Sequence, residues 1–214
     1  QQRVMALQYN IIVAMANLIE SRDEDTGAHV KRTSWYVDII ARELAKDSPY
    51  KDQLTESYLE NLYKAAPLHD IGKIKVSDTI LCKPGRLTQE EFEIMKTHAA
   101  EGGKIVYETM SDIEEQDYVE LAHDVAKYHH EKWNGTGYPE RLSGQNIPLC
   151  ARIMAVADVF DALTSKRCYK DAMTIDQAYQ IIEESIGTHF DPVVAEAFIR
   201  LRPKVEEFLK ENGE

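Results

Sequence analysis

Apolar positions recur along this chain with helical rather than strand periodicity. Near the N-terminus Val4, Leu7, Ile11, Ala14 and Leu18 are spaced 3, 4, 3 and 4 apart. That is the seam of a two-helix coil, sustained for about two heptads, and it suits either packing on a core or pairing with a second helix. Leu59, Leu62, Tyr63 and Ala66 lie on one face of a helix predicted near 55–70, which also carries His69. Pro67 lacks an N–H and crowds the carbonyl one turn back, so the backbone must change course there, and Gly72 is expected to end the helix. Pro84-Gly85 marks a turn. Thr88 and Glu91 form a capping box that opens a helix carrying Phe92, Met95 and His98. Tyr118, Leu121, Ala122, Val125 and Tyr128 make a helical stripe over 114–131. The glycine-rich stretch Asn134–Pro139 reads as a structured loop. Pro148 suits the first turn of a helix through Ile153, Ala157 and Phe160, and two more helices fit 174–187 and 191–211. No alternating strand of useful length occurs, and the predicted fold class is all-α.

Composition adjusts this picture in three ways. A chain of 214 residues with 43% hydrophobic and 29% charged residues suits one large globular domain, with or without an appendage. No apolar run approaches the roughly 20 residues of a membrane span. The formal charge of −12 argues against nonspecific binding to nucleic acid, which depends on Lys and Arg. Cys82, Cys150 and Cys168 lack metal or redox spacing and read as reduced structural thiols of a cytoplasmic protein. Because the chain opens with Gln in a helix-like segment, it is expected to be a fragment of a longer protein.

The chemistry resides in metal-ligand residue types at wide intervals. His69 and Asp70 are adjacent in an apolar, helix-ending segment where an unpaired carboxylate would be costly. His29, His98, His129, His130 and Asp158 join them as candidates. Asp25 and His29 are spaced i, i+4 and share a face if that segment is helical. Consecutive helical residues point about 100° apart, so His129 and His130 serve one site only where the helix ends or distorts. Asp158 lies in an apolar helix in which an ionised carboxylate must be paired or metal-bound. Asp161, three residues on, is expected to cap or to pair with a basic group. His123 reads as structural, and His189 as capping or packing the last helices. Lys73 could neutralise charge beside the metals, and Arg167 with Lys170 could hold phosphate oxygens. A His and carboxylate set without thiolate suits iron, manganese, zinc or nickel. Cations bridged by a carboxylate such as Asp70 favour phosphoester hydrolysis.

These same residues are where the chain resembles the HD-GYP domains, a branch of the HD metal-dependent phosphohydrolases. The resemblance runs from about Arg22 to Pro192. It is carried by Asp25-Thr26-Gly27-Ala28-His29, His69-Asp70-Ile71-Gly72-Lys73, Lys83-Pro84-Gly85 with Leu87-Thr88, and His98. His129-His130-Glu131, Gly135-Thr136-Gly137-Tyr138-Pro139, Ala157-Asp158 and Arg167-Cys168-Tyr169-Lys170 complete it. It implies an HD-type helical bundle over 22–214 with a multinuclear metal site in its core. Residues 1–21 would be a helix linking to an upstream receiver or sensor domain, with a homodimer through that helix as one expectation. It implies bacterial hydrolysis of cyclic di-GMP to linear pGpG or GMP. The ligands implied are His29, His69, Asp70, His98, His129, His130 and Asp158, holding two or three divalent ions, iron or manganese before zinc or nickel. Asp70 and Lys73 would act in catalysis, and Lys73, Arg167 and Lys170 would face the phosphates. Asp25 stands where trinuclear members carry Glu, so it is expected to bind a weaker third ion directly or through water. The alternatives are an HD phosphohydrolase for another nucleotide, such as cyclic GMP-AMP, and a non-catalytic module that senses the ligand or docks a partner.

Overall fold

The computed structural model describes residues 2–23, 28–165 and 172–212. Among the described residues the α-helices are α1 (Gln2–Glu20), α2 (Ala28–Lys46), α3 (Glu56–Ala65), α4 (Asp78–Leu81), α5 (Gln89–Met110), α6 (Gln116–Tyr128), α7 (Leu149–Thr164), α8 (Ile175–Glu184), α9 (Pro192–Arg200) and α10 (Arg202–Asn212). Among the described residues the only extended pairing is an isolated bridge between Ile186 and Phe190. The all-α expectation holds.

α7 is the central post. Every residue from Leu149 to Ala157 is buried, as expected of a helix apolar on all sides. It packs against α2, α6, α8 and α9, while α5 lies along α6. Tyr36, Phe160, Tyr179 and Phe198 fill the space between α2, α7, α8 and α9. The Phe160 ring meets those of Tyr36 and Phe198 edge-on, with centroids 5.5 and 4.9 Å away. These are favourable aromatic geometries at the centre of the apolar core.

Local chemistry sets the helix ends. Thr88 and Glu91 form the expected capping box of α5, and Thr174 with Gln177 forms another at α8. The single helix expected over 191–211 is instead two, α9 and α10, parting at Leu201. Pro203 accounts for the break, because its ring would clash with the Ile199 carbonyl in a continuous helix.

Ala16, Ile19 and Glu20 in the last turn of α1 are buried against the rest of the molecule. The apolar seam behaves differently: Leu7 and Leu18 are 60% and 71% exposed, and Ile11 and Ala14 also face solvent. Within this chain the seam is therefore not core packing.

Gly72 also has a role other than the one expected. It does not end a helix. It sits inside a 3-10 turn, Ile71–Lys75, pressed against α5. A Cβ there would lie 1.9 Å from the His98 carbonyl oxygen and 2.5 Å from the Gly102 nitrogen. Both obstacles are backbone and cannot rotate away. Gly72→Ala is therefore expected to lose about 2–3 kcal/mol in a denaturant titration, as overpacking forces the turn off α5. Unchanged stability would mean that the turn and α5 can separate freely.

Candidate metal centre

Three short backbone devices bring the candidate ligands together. α3 ends at Ala65, and a 3-10 turn containing Pro67 (Ala66–Leu68) delivers His69 and Asp70 into the interior. α6 ends at Tyr128, so His129 is its C-cap and His130 leaves the helix. This is the helix end that two adjacent histidines require if they are to share a site. The chain then folds back, with the Tyr138 N–H donating to the His130 carbonyl. His29 comes from the first turn of α2, His98 from the middle of α5 and Asp158 from α7.

Two sets of ligand atoms gather the expected ligands, each within a 4.8 Å span: Asp70, His98, His129 and His130 in one, and His29, His69 and Asp158 in the other; a third, Glu20, His29 and Asp70, overlaps them. Asp70 faces both of the first two. Its Oδ1 lies 3.2 Å from His98 Nε2 and 3.5 Å from His129 Nε2. Its Oδ2 lies 3.4 Å from His69 Nε2 and 3.0 Å from Lys73 Nζ. One carboxylate thus offers one oxygen to each set, the disposition of a bridging ligand.

The outer hydrogen bonds fix which imidazole nitrogen faces inward. Nδ1 of His69 donates to the Ala66 carbonyl (2.9 Å) and that of His98 to the Met95 carbonyl (2.6 Å). His129 Nδ1 reaches the Val125 and Ala126 carbonyls, and His29 Nδ1 donates to Asp161 Oδ2 at 2.7 Å. In all four the Nε2 lone pair is left for the centre, the arrangement that metal-binding histidines use. Asp70 Oδ1, His98 Nε2 and His129 Nε2 are buried and make no hydrogen bond. Orphaned buried polar atoms are rare, and three converging on one point fit a cation. The residues present fit divalent ions bound by nitrogen and oxygen.

Protonation of Asp70, His130 and His129 agrees with that fit. Burial would raise the Asp70 carboxyl, but Lys73 and His69 hold it well below its ordinary value, as the anion. Burial, reinforced by His129 and His98, pushes His130 well below its ordinary value. Burial likewise lowers His129, so both are neutral and free to ligate. Burial lowers His69, but the charge and hydrogen bond of Asp70, with the charges of Asp158 and Glu20, together raise it to about 9, so an ion must displace its proton to reach Nε2.

Two contributors were not legible as part of the centre. Asp161 was expected to cap or pair with a base, and it does accept two hydrogen bonds from Arg32, at 2.6 and 2.9 Å. It also orients His29. Burial would raise its carboxyl, yet His29 and Arg32 lower it to about 2. Glu20, at the end of α1, is buried with both oxygens 3.3–3.4 Å from Lys73 Nζ. His123 is structural as expected, stacked on Tyr107 and paired with Asp124. His189 stacks on Phe190 beside α9. Cys150 is buried and, like Cys82, free. Asp25, Arg167, Cys168 and Lys170 lie outside the described residues.

The chain matches the family model of the HD domain over residues 13–194. It is 47% identical over 204 residues to a cyclic di-GMP phosphodiesterase of Vibrio cholerae, covering 95% of this chain and 42% of that protein. A cyclic di-GMP phosphodiesterase of Thermotoga maritima is 39% identical over 197 residues, covering 92% of this chain and 50% of its own length. A 3'3'-cGAMP-specific phosphodiesterase of Vibrio cholerae is 39% identical over 189 residues, covering 88% and 34%. The chain therefore spans at most half the length of these relatives. Among solved structures, a cyclic GMP-AMP-specific phosphodiesterase of Vibrio cholerae superposes with a TM-score of 0.68 at 20% identity, over 94% of this chain and 50% of that one, a likeness of fold. No helix among the described residues is long and apolar enough to cross a membrane. On the residues matched and the similarity of these relatives, the chain belongs to the HD domain family, in its HD-GYP branch.

Proposed function

We propose that this chain is the catalytic module of a metal-dependent phosphodiesterase that hydrolyses cyclic di-GMP in bacterial second-messenger signalling. The observation that carries the reading is Asp70, whose two oxygens face two separate ligand sets. Asp70, His98, His129 and His130 would hold one ion, and His29, His69 and Asp158, with Asp70, a second. Iron or manganese suits this donor set best, and zinc or nickel is compatible with it. When bound, the ions supply an activated water and charge stabilisation at the phosphate oxygens. The protein's own groups keep His129 and His130 neutral, fix the Nε2 atoms of His29, His69, His98 and His129 inward and hold Asp70 as the anion. Lys73 acts beside Asp70. Arg167 and Lys170, by their place in the motif, take the substrate phosphates, and Asp25 is the candidate ligand for a weaker third ion.

The relatives named for cyclic di-GMP include the one at 47% identity, which favours that substrate. Cyclic GMP-AMP is the second reading, favoured by a relative named for it at 39% identity. An upstream receiver or sensor domain, pairing through the exposed seam of α1 and a cytoplasmic location belong to the same proposal. A relative named as a response regulator, 37% identical over 221 residues, supports the first of these.

The test is turnover of cyclic di-GMP, 3'3'-cyclic GMP-AMP and a linear dinucleotide by anaerobically purified protein of measured metal content. Preferential cleavage of cyclic di-GMP supports the reading, and metal-loaded protein inert towards all three overturns it. Lys170→Ala is expected to raise KM about tenfold or more with unchanged metal content. Loss of metal with unchanged KM would instead make Lys170 a structural partner of the centre.

A further inference from the structure

The end of α1 grips the segment that carries Lys73, and it does so twice. Glu20 places both carboxylate oxygens 3.3–3.4 Å from Lys73 Nζ, which is itself 3.0 Å from Asp70 Oδ2. Two residues on, Arg22 donates to the Lys73 carbonyl at 3.2 Å and to the Val76 carbonyl at 3.0 Å, and it pairs with Asp78 at 2.6 Å. Side chain and backbone of Lys73 are thus held from the same turn of chain. That turn is anchored in its own right by Ala16 and Ile19, both buried. Glu20 also lies within 4.8 Å of ligand atoms of His29 and Asp70.

We propose that Glu20 is a positioning residue of the metal centre, which shares the Lys73 ammonium with Asp70 and so leaves the Asp70 carboxylate available to bridge two ions. The reasoning is one of competition. An ammonium and a metal ion seek the same oxygen, Oδ2 of Asp70. A second carboxylate on the ammonium weakens its hold on the first, and a buried cation with one anion fewer leans harder on its other partners, Asp70 among them. Glu20 therefore tunes how strongly Lys73 competes with the metal. Because Glu20 closes α1, the helix whose apolar seam faces solvent, the same contact ties that helix to the centre.

The proposal rests on the metal-centre reading above but not on the identity of the substrate, so its test begins with metal binding. Metal-free protein is titrated with Mn²⁺ by calorimetry for the wild type, Glu20→Gln, Lys73→Met and the double variant. Glu20→Gln is expected to weaken Mn²⁺ binding about tenfold, the scale on which supporting groups act at metal sites. Adding Lys73→Met should restore wild-type affinity, because the competitor is gone. A double variant as weak as Glu20→Gln alone would overturn the proposal and make Glu20 a plain source of negative charge. Wild-type affinity in Glu20→Gln would overturn it too. Glu20→Asp, which keeps the charge one methylene shorter, is expected to fall between the two, and melting curves of each variant confirm that the fold is kept. Inert protein with the predicted pattern of Mn²⁺ affinities would count against the phosphodiesterase reading and leave this inference standing.

Discussion

Asp70→Ala is expected to abolish hydrolysis, by about a thousandfold or more, because a metal-dependent centre that loses its bridge loses both the ions and their activation of water. The geometry sets the size of the effect. Asp70 reaches both histidine sets, giving Oδ1 to the pair His98 and His129 and Oδ2 to the pair His69 and Lys73. Removing it also leaves His69 and Lys73 without an anion that the interior supplies to both. Asp70→Asn separates these effects, since the amide keeps the volume but offers one acceptor oxygen in place of two anionic ones. Both variants should therefore lose bound metal, the asparagine variant with the smaller fall in melting temperature. Metal content and turnover at the wild-type level in either would show that Asp70 does not bridge.

Much of this centre was legible in the sequence, for reasons that are physical rather than statistical. Pro67 announced a backbone change before His69, and the structure puts a 3-10 turn there. Adjacent His129 and His130 demanded a helix end, and α6 ends at Tyr128. Asp158 was marked by its apolar surroundings. The same argument applied to Asp161, which lies in the same helix and is fully buried, yet it was expected only to cap or to pair with a basic group. In fact Asp161 has two tasks, pairing with Arg32 and orienting His29. Glu20 escaped notice because it closes a helix read as a linker, and nothing local distinguishes it from a surface glutamate. Its burial depends on Lys73, fifty-three positions away in sequence, a partner that only the fold supplies. Gly72 shows the reverse. Its place in the chain suggested a helix stop, while its function is close approach to α5, and close approach leaves no mark in a single sequence.

Asp161→Ala is expected to cost about 3 kcal/mol of stability, the low end of the range for breaking a buried ion pair, because Arg32 keeps other contacts, Ser165 Oγ among them. The partner that loses its carboxylate is Arg32, which gives Asp161 two hydrogen bonds and has a side chain only 17% exposed. The second consequence falls on His29. Without an acceptor at Nδ1 the ring is free to turn or to move its proton to Nε2, the nitrogen 3.3 Å from His69 Nε2 and 3.9 Å from Asp158 Oδ1. A proton on that atom removes a ligand from the second set, so metal affinity should fall about 10–100-fold, as it does when the supporting partner of a metal-bound histidine is lost. Asp161→Asn tells the two roles apart. Oδ2 alone accepts from both His29 Nδ1 and Arg32 Nη2. A carbonyl oxygen in its place keeps the His29 acceptor while the amide nitrogen loses the bond from Arg32 Nε, so stability should fall with metal affinity largely kept. Denaturant titration gives the stability and Mn²⁺ calorimetry the affinity. If Asp161→Ala binds both ions as the wild type does while its stability falls, Asp161 is an anchor for Arg32 alone, and His29 owes its orientation to the packing of α2 against α7.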